Sequence, residues 1–342
     1  MRITALAGGV GGARFLRGLL RHLEHRSAST AGRGSPTELT VIGNTGDDIT
    51  LFGLRVCPDL DTILYTLGGG AHEAQGWGRS DETHTVAAEL AALGATPQWF
   101  TLGDKDIATH VYRSQLLSRG MPLSEVIARL ATRWGLPELG VTLLPMTDTP
   151  VETHVVVAGD GPGGQQAIHF QEWWVRHQAA LPVDRFVVAG LDKATAGPGV
   201  LEAIREADVV LLPPSNPVVS IGIILGVPGV RDALRGTRAP VVGVSPLVGG
   251  RPVRGHADAC LRAIGVEQTS AAVAGLYEDF LDGWLVDEQD PMTSRSPGSR
   301  GRLEVEHRPL LMSSAPASSA LAGAALDLGL RLREERAHRV TA

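Results

Sequence analysis

Residues 3–23, ITALAGGVGGARFLRGLLRHL, decide the fold of this chain. The apolar run at residues 3–7 is typical of a short buried strand, and the glycines at residues 8–12 are typical of a tight turn. Residues 13–23 carry apolar side chains at helical spacing. A second strand is predicted at residues 39–42, and two strands separated by a helix indicate a parallel sheet. We therefore predict an α/β fold with a doubly wound, mainly parallel sheet.

The alternation of strand and helix patterns continues along the chain. Further strands are predicted at residues 98–102, 187–189, 209–212 and 241–244, each followed by a polar or glycine-rich loop. No internal repeat and no clean linker divides residues 1–330, so we expect a single domain. We assign a β-rich insertion to about residues 141–180 and a polar tail to residues 331–342, after an amphipathic helix.

Composition and charge favour a globular enzyme and argue against several other classes of protein. The 342 residues are 43% hydrophobic and 20% charged, which is typical of a globular enzyme, and the net charge of −6 argues against general nucleic-acid binding. The two cysteines, Cys57 and Cys260, have no metal-ligand spacing and imply no disulfide. The first apolar run is too short for a signal peptide, and no apolar stretch reaches the roughly 18 residues of a membrane span. We expect a cytoplasmic protein with no membrane partner.

The glycine-rich turn is the first candidate ligand site. In doubly wound sheets, ligands bind beyond the carboxyl ends of the strands, where the strand order reverses. Gly9, Gly11 and Gly12 follow the first strand and open a helix, so their backbone could approach a phosphate. Arg14 stands where the dinucleotide fingerprint, counted from Gly9, requires its last glycine. The turn is either a phosphate site or a packing device, and both interpretations stay open.

A second candidate site follows the predicted strand at residues 39–42. The segment begins with Asn44 and Thr45, and four carboxylates lie within the fifteen residues 47–61, among them Asp48 and Asp61. Magnesium prefers oxygen ligands and commonly binds one or two carboxylates together with substrate phosphates. The alternative is a polar turn, with Asp61 capping the next helix.

Two later loops also carry polar side chains: Asp104, Lys105 and His110 in one, and Ser215 and Asn216 in the other. The first set could bind a polar substrate or move a proton, and the second could contact a phosphate or a purine. Helix capping and ordinary turn chemistry explain the same residues equally well.

Taken together, four motifs resemble those of the 2-phospho-L-lactate transferase family (CofD/FbiA) of coenzyme F-420 biosynthesis. They are AGGVGGAR at residues 7–14, NTGDD at 44–48, LGDKDIATH at 102–110 and PSNP at 214–217. The resemblance implies a Rossmann-like core, usually assembled as a homodimer. It also implies transfer of a phosphorylated three-carbon acid from a guanosine diphospho donor to the terminal ribityl hydroxyl of the deazaflavin Fo, with release of GMP.

The resemblance assigns roles to the candidate residues. Asp48 would contact Fo and, with Asp61, hold Mg²⁺; these two are the expected catalytic residues. The expected substrate contacts are Gly9, Gly11 and Gly12 along the donor phosphates, Ser215 and Asn216 at the GDP portion, and Asn44, Thr45, Asp104, Lys105 and His110.

Other interpretations remain. A YvcK-like regulatory protein would share the glycine-rich opening and the acidic loop, but it would bind a nucleotide sugar without transferring a group. An NAD-dependent dehydrogenase lacks support, because the third glycine and a ribose-binding acid are missing. The composition, rich in Ala, Arg and Gly, suggests an actinobacterial source and hence the enolpyruvyl donor, although no residue visibly selects it over the lactyl donor.

Overall fold

The computed structural model describes residues 1–29, 37–293, 297–298 and 301–341. In chain order the strands are β1 (Arg2–Ala7), β2 (Glu38–Gly43), β3 (Ile49–Leu51), β4 (Leu54–Val56), β5 (Val141–Pro145), β6 (Glu152–Ala158), β7 (Gln165–His169), β8 (Val183–Ala189), β9 (Val209–Leu212), β10 (Val241–Val244), β11 (Leu247–Val248), β12 (Arg251–Pro252), β13 (Gly283–Val286), β14 (Pro297–Gly298), β15 (Gly301–Arg302) and β16 (Glu304–His307). The α-helices are α1 (Gly9–Ser29), α2 (Pro58–Leu67), α3 (Thr85–Ala92), α4 (Asp104–Ser118), α5 (Leu123–Arg133), α6 (Val200–Arg205), α7 (Gly222–Gly226), α8 (Val230–Gly236), α9 (Ala257–Ala263), α10 (Ser270–Gly275) and α11 (Ala315–Thr341).

Seven parallel strands form the central sheet, in the order β16-β13-β10-β9-β1-β2-β5. The chain builds outward from β1 in one direction through β2 and β5, and in the other direction from β9. The strand order therefore reverses between β1 and β9, which is where a doubly wound sheet opens a crevice for ligands. The predicted α/β, doubly wound, Rossmann-like fold is confirmed.

Both faces of the sheet are buried, and β1 shows why its sequence is almost entirely apolar. Ile3 and Ala5 belong to the core on the face covered by α1, α2, α5 and α11. Leu6 belongs to the core on the opposite face, with α6, α7, α8 and α10. Because successive side chains of a strand point to opposite faces, a strand between two helical layers needs apolar residues at both sets of positions.

The insertion is a separate antiparallel sheet, and its limits differ from those predicted. The strands β6, β7 and β8 pair in the order β7-β6-β8, so this sheet spans residues 152–189 instead of 141–180. Residues 141–145 form β5 at the edge of the central sheet. Residues 187–189 were predicted as part of the doubly wound sheet, but they belong to β8 of the antiparallel sheet. A short apolar run does not indicate whether its partner strand is parallel or antiparallel.

One predicted strand is absent. Residues 98–102 form no strand; Trp99, Phe100 and Leu102 instead pack beside the β3–β4 hairpin. The polar residues 331–341 continue α11, so the predicted amphipathic helix extends through them. Ion pairs join that segment to the sheet: Arg331 contacts Glu306 at 2.6 Å and Arg333 contacts Asp208 at 2.7 Å.

No single helix in the described ranges is long and apolar enough to cross a membrane. The segments Pro217–Gly226 and Val230–Gly236, which meet at 84°, have the length and apolar composition of a membrane span only when they are counted together. Cys57 and Cys260 are both buried and free, as expected for a chain without a disulfide framework.

Candidate active site

The turns that follow β1 and β9 pack directly against each other at the reversal of strand order. The Ser215 hydroxyl donates to the Gly8 carbonyl at 2.8 Å and accepts from the Gly8 amide at 3.2 Å. A Cβ at Gly11 would lie 2.3 Å from the Pro214 carbonyl oxygen, and one at Gly12 would lie 2.8 Å from Ser215 Oγ. Gly11 and Gly12 therefore have a packing role, whatever they contribute to ligand binding.

Gly9 connects the glycine turn to an acidic side chain. Its φ of +66° lies in the left-handed region, which glycine adopts without a steric cost. Its amide donates to Asp59 Oδ1 at 2.8 Å, so a carboxylate already lies at the N-terminus of α1. Negative charge is stabilised there by the helix dipole.

Four buried carboxylates lie beside this turn: Asp47, Asp48, Asp59 and Asp61, which are 7%, 1%, 5% and 4% exposed. The first two come from the loop between β2 and β3, and the other two lie in the first turn of α2. Four such groups in one place need cations or hydrogen-bond donors, because buried charges without partners are strongly unfavourable.

Asn44 links two of the acids. Its Nδ2 donates to Asp59 Oδ2 at 2.9 Å and lies 3.4 Å from Asp47 Oδ1, while its Oδ1 accepts from the Gly46 amide. The side-chain amide of Asn44, a predicted substrate contact, therefore forms its hydrogen bonds with other residues of the protein. The neighbouring Thr45 hydroxyl is buried and has no hydrogen-bond partner among the described residues.

Asp48 is held on one side only. Cys57 Sγ donates to its Oδ2 at 3.1 Å, and the Arg55 guanidinium lies 3.5 Å from the same oxygen. Oδ1 is buried and has no hydrogen-bond partner in the described part of the chain. His169 Nε2 lies 3.1 Å from the Asp48 backbone carbonyl, which brings the antiparallel sheet to the site.

Asp61 has a similar arrangement around a different arginine. Its Oδ1 pairs with the guanidinium of Arg113, a side chain with no exposed surface. Its Oδ2 lies 3.7 Å from His110 Nδ1 and accepts no hydrogen bond from a described residue. His110 also lies 3.5 Å from Asp106 and 3.1 Å from Arg113. The structure thus brings the predicted residues Asp48, Asp61 and His110 into one buried cluster.

Burial changes the acidity of this cluster. It raises the pKa of Asp48 to about 7, against the opposing effect of Arg55. It raises the pKa of Asp59 to about 6, although hydrogen bonds from Asn44 and Gly9 act in the opposite direction. The pKa of Asp47 is also raised, first by burial and then by the charge of Asp59. A bound cation would relieve these costs.

The donor atoms suit magnesium. Within the described ranges no group of three or more His, Cys, Asp or Glu residues could hold a metal by itself. However, Asp48 Oδ1, Asp61 Oδ2 and Thr45 Oγ1 are buried oxygens without hydrogen-bond partners among the described residues. Mg²⁺ typically takes one or two carboxylates and completes its shell with water and substrate phosphates, so two carboxylates are sufficient.

Two predicted residues, Asp104 and Asn216, cap helical segments, and a third, Lys105, lies at the surface. Asp104 accepts from the Thr85 and Val86 amides at 3.1 and 3.0 Å, which caps α3, and hydrogen bonds lower its pKa to about 2. Lys105 is exposed and lies 3.4 Å from the Ser80 carbonyl. Asn216 caps the π-helical turn Pro217–Ile221 by accepting from two backbone amides. Their substrate contacts remain predictions.

The sequence did not reveal the two arginines that pair with the acids, Arg55 and Arg113. Arg113 follows His110 by three positions on α4, which places both on one helix face. That spacing from His110 could have indicated that Arg113 faces the site. No sequence pattern indicates that Arg55, in the short strand β4, faces the site.

Comparison with known proteins identifies the family. Residues 3–307 match the family described as 2-phospho-L-lactate transferase CofD. The chain belongs to the CofD family. Its CofD relatives include proteins named phosphoenolpyruvate transferase from Thermobifida fusca, Streptomyces coelicolor and Mycolicibacterium smegmatis. They are 61%, 54% and 51% identical to it, over 98%, 98% and 96% of this chain and 99%, 100% and 98% of the relative.

Solved structures show the same fold at lower identity. A UPF0052 family protein from Bacillus halodurans superimposes with a TM-score of 0.56 and 17% identity, over 95% of this chain and 98% of that chain. A second structure from the same organism gives a TM-score of 0.55 at 16% identity, over 95% and 99%. This likeness concerns the fold alone. Membership of the CofD family makes the chain a transferase.

Proposed function

We propose that this chain transfers a phosphoenolpyruvyl group from a guanosine diphospho-linked donor to the terminal ribityl hydroxyl of Fo. The hydroxyl oxygen forms a bond to the phosphorus that carries the enolpyruvyl group, and the bond from that phosphorus to the GMP phosphate oxygen breaks. The hydroxyl loses its proton, GMP leaves, and a phosphodiester remains. The product is the dehydro F-420 precursor without glutamate.

The names of the relatives carry this proposal. Proteins named phosphoenolpyruvate transferase share 51–61% of their residues with the chain over nearly its full length. These names favour the enolpyruvyl donor over the 2-phospho-L-lactyl donor that the family description suggests. No contact in the site separates the two groups, so the donor is a matter for experiment.

The acidic cluster supports a magnesium-dependent reaction. We assign Asp48 and Asp61 as the metal ligands, because each gives one oxygen to an arginine and keeps a second, buried oxygen that accepts no hydrogen bond from a described residue. When bound, Mg²⁺ neutralises the negative charge that develops on the transferring phosphate oxygens. Arg55 and Arg113 hold the carboxylates in place, and Asp48 is the residue we assign to the Fo hydroxyl.

The glycine turn offers a path for the donor phosphates. The first amides of a helix lack intrahelical acceptors, and Gly9 already uses its amide for Asp59. The next amides of α1 also lack intrahelical acceptors, and we assign them to the donor phosphates, because an anion is stabilised at a helix N-terminus. Ser215 contacts the same turn through both backbone groups of Gly8.

We further propose that the chain acts as a homodimer, the assembly usual in its family. Helix α3 buries none of its residues, and Leu93 at its end is 82% exposed, so an apolar surface is available for a second copy. Light scattering coupled to size exclusion should give twice the chain mass of 36.0 kDa. A monomer at micromolar concentration would contradict this.

The transfer reaction is tested directly by mass spectrometry. The protein is incubated with Fo, Mg²⁺ and either the enolpyruvyl or the lactyl guanosine diphospho donor. We expect GMP and the enolpyruvyl phosphodiester in the first mixture, and less product in the second. Tight nucleotide-sugar binding without product from either donor would instead support a YvcK-like regulatory role.

A further inference from the structure

Residues 72–78 form a loop that covers the first turn of α1, and we call it the covering loop. Within it, Gly76 is where several groups converge. A Cβ at Gly76 would lie 2.5 Å from Arg254 Nη1, 2.7 Å from Val10 Cγ1 and 3.4 Å from Arg14 Nη2. Two guanidinium groups from distant parts of the chain therefore lie beside the first turn of α1.

The guanidinium groups of Arg14 and Arg254 bind backbone carbonyls of the covering loop. Arg14 donates to the Glu73 carbonyl at 3.2 Å, and Arg254 donates to the Gln75 and Ala74 carbonyls at 2.9 and 3.3 Å. The one carboxylate nearby, on Glu73, is bound by Arg17 through two hydrogen bonds of 2.5 and 3.1 Å.

Positive charge is therefore in excess at this place. No described carboxylate forms an ion pair with Arg14 or Arg254. Burial, and then the charges of Arg254 and Arg17, lower the pKa of Arg14, while the charge of Glu73 acts in the opposite direction. Each has five N–H donors in a planar fork, and the carbonyls use only one donor of Arg14 and two of Arg254.

The position of this excess charge relates it to the acidic cluster. Gly9 donates to Asp59, and the adjacent residue Val10 contacts the covering loop. The arginine pair and the carboxylates thus flank the same turn of α1. A ligand bound across that turn would contact the guanidinium groups at one end. At its other end it would contact the acidic cluster and any cation bound there.

We propose that Arg14 and Arg254 bind the diphosphate of the donor beneath the covering loop. This assignment rests on the proposed function, which requires a nucleoside diphosphate group. Guanidinium forks match phosphate oxygens in a bidentate geometry, and the resulting hydrogen bonds are stronger than those to neutral carbonyls. The two side chains would exchange carbonyl partners for phosphate oxygens as the ligand enters.

The test is the affinity for GDP and for GMP, measured by calorimetry with Arg14→Ala and Arg254→Ala. Hydrogen bonds to charged groups predict that each variant binds GDP about tenfold or more weakly, with a smaller loss for GMP. Arg262→Ala is the matched control, since Arg262 is 75% exposed on α9 and contacts Asp258 at 3.6 Å. We expect the control to bind GDP as the unmodified chain does.

The possible failures can be told apart. If the unmodified chain binds GDP and both variants bind it equally well, the assignment of the arginines is wrong while the proposed function stands. Equal losses for GMP and GDP would also contradict diphosphate recognition. If the unmodified chain does not bind GDP, the proposed donor fails, and the arginine assignment fails with it. If Arg14→Ala does not fold, the exposed Arg254 carries the test.

Discussion

The two carboxylate oxygens of Asp48 have different surroundings. Oδ2 is fixed by the Cys57 thiol and lies near Arg55, whereas Oδ1 faces no described hydrogen-bond donor. Groups that hold one side of a ligating carboxylate determine where its other side points, and they affect metal affinity although they never touch the metal. Cys57 is in this sense a positioning residue, and its thiol is a donor in the folded protein because burial raises its pKa.

Substitution of Cys57 tests this positioning. Cys57→Ala removes the donor to Asp48, and we expect Mn²⁺ affinity, measured by electron paramagnetic resonance, to fall about tenfold, as for other partners of metal ligands. Cys57→Ser keeps a hydroxyl donor and should restore most of the affinity. Equal affinities for the Ala and Ser variants would show that the thiol does not position Asp48.

The raised pKa values of the buried acids predict a pH-dependent stability. The folded pKa values of about 7 for Asp48 and about 6 for Asp59 exceed the ordinary 3.8 of an aspartate. The folded protein therefore holds more protons than the unfolded chain between about pH 4 and 7, and its stability should fall as the pH rises through that range. Thermal unfolding in a chelator should show Tm decreasing between pH 5 and pH 8.

Asp48→Asn provides the comparison, because it removes one titrating group while preserving the shape of the side chain. Its Tm should depend less on pH than that of the unmodified chain. The same pH dependence of Tm in both proteins would contradict the raised pKa of Asp48.

At the scale of elements, the contact between the β1 and β9 turns limits what the glycine turn tolerates. A methyl group at Gly11 would overlap the Pro214 carbonyl, a backbone atom that cannot rotate away. We expect Gly11→Ala to reduce the free energy of unfolding by about 1–3 kcal/mol, the usual cost of overpacking. Denaturant titration measures this loss.

Gly236 is the matched control for that substitution. It ends α8, and no atom outside its immediate neighbours lies within 4 Å of a Cβ built there. Gly236→Ala should therefore leave the stability nearly unchanged. Equal stabilities for the two variants would mean that the turns can separate without cost.

Elements with strong local patterns could be predicted from the sequence. The strand at residues 3–7 and the helix at 13–23 follow from apolar periodicity, but the glycines predicted as a turn at 8–12 are helical from Gly9 onward, and the helix extends to Ser29. The strand predicted at residues 98–102 is absent, because a short apolar run can bury its side chains against a hairpin without backbone pairing. The ion pairs along the polar part of α11 depend on the fold: Arg331 pairs with Glu306 and Arg333 with Asp208, which no local pattern indicates.

At the scale of the whole molecule, the site depends on contacts that no local pattern contains. Asp47 and Asp48 were predictable because they follow β2 of the parallel sheet, and such loops gather at one edge, whereas Asp59 and Asp61 reach the site from α2, after the β3–β4 hairpin. Arg113 was not predictable with them, since its pairing with Asp61 joins residues 52 positions apart across α2 and α4. The strand order reverses between β1 and β9, and this topology brings polar loops from separate parts of the chain together at one site.

The most direct test of the account is the rate of GMP release by Asp48→Asn in the presence of Fo, donor and Mg²⁺. Asparagine preserves the volume and the hydrogen bond from Cys57, so circular dichroism should report an intact fold. It removes the negative charge that we assign to metal and Fo. We expect most of the turnover to be lost in this folded variant, whereas a rate close to that of the unmodified chain would contradict the role of Asp48.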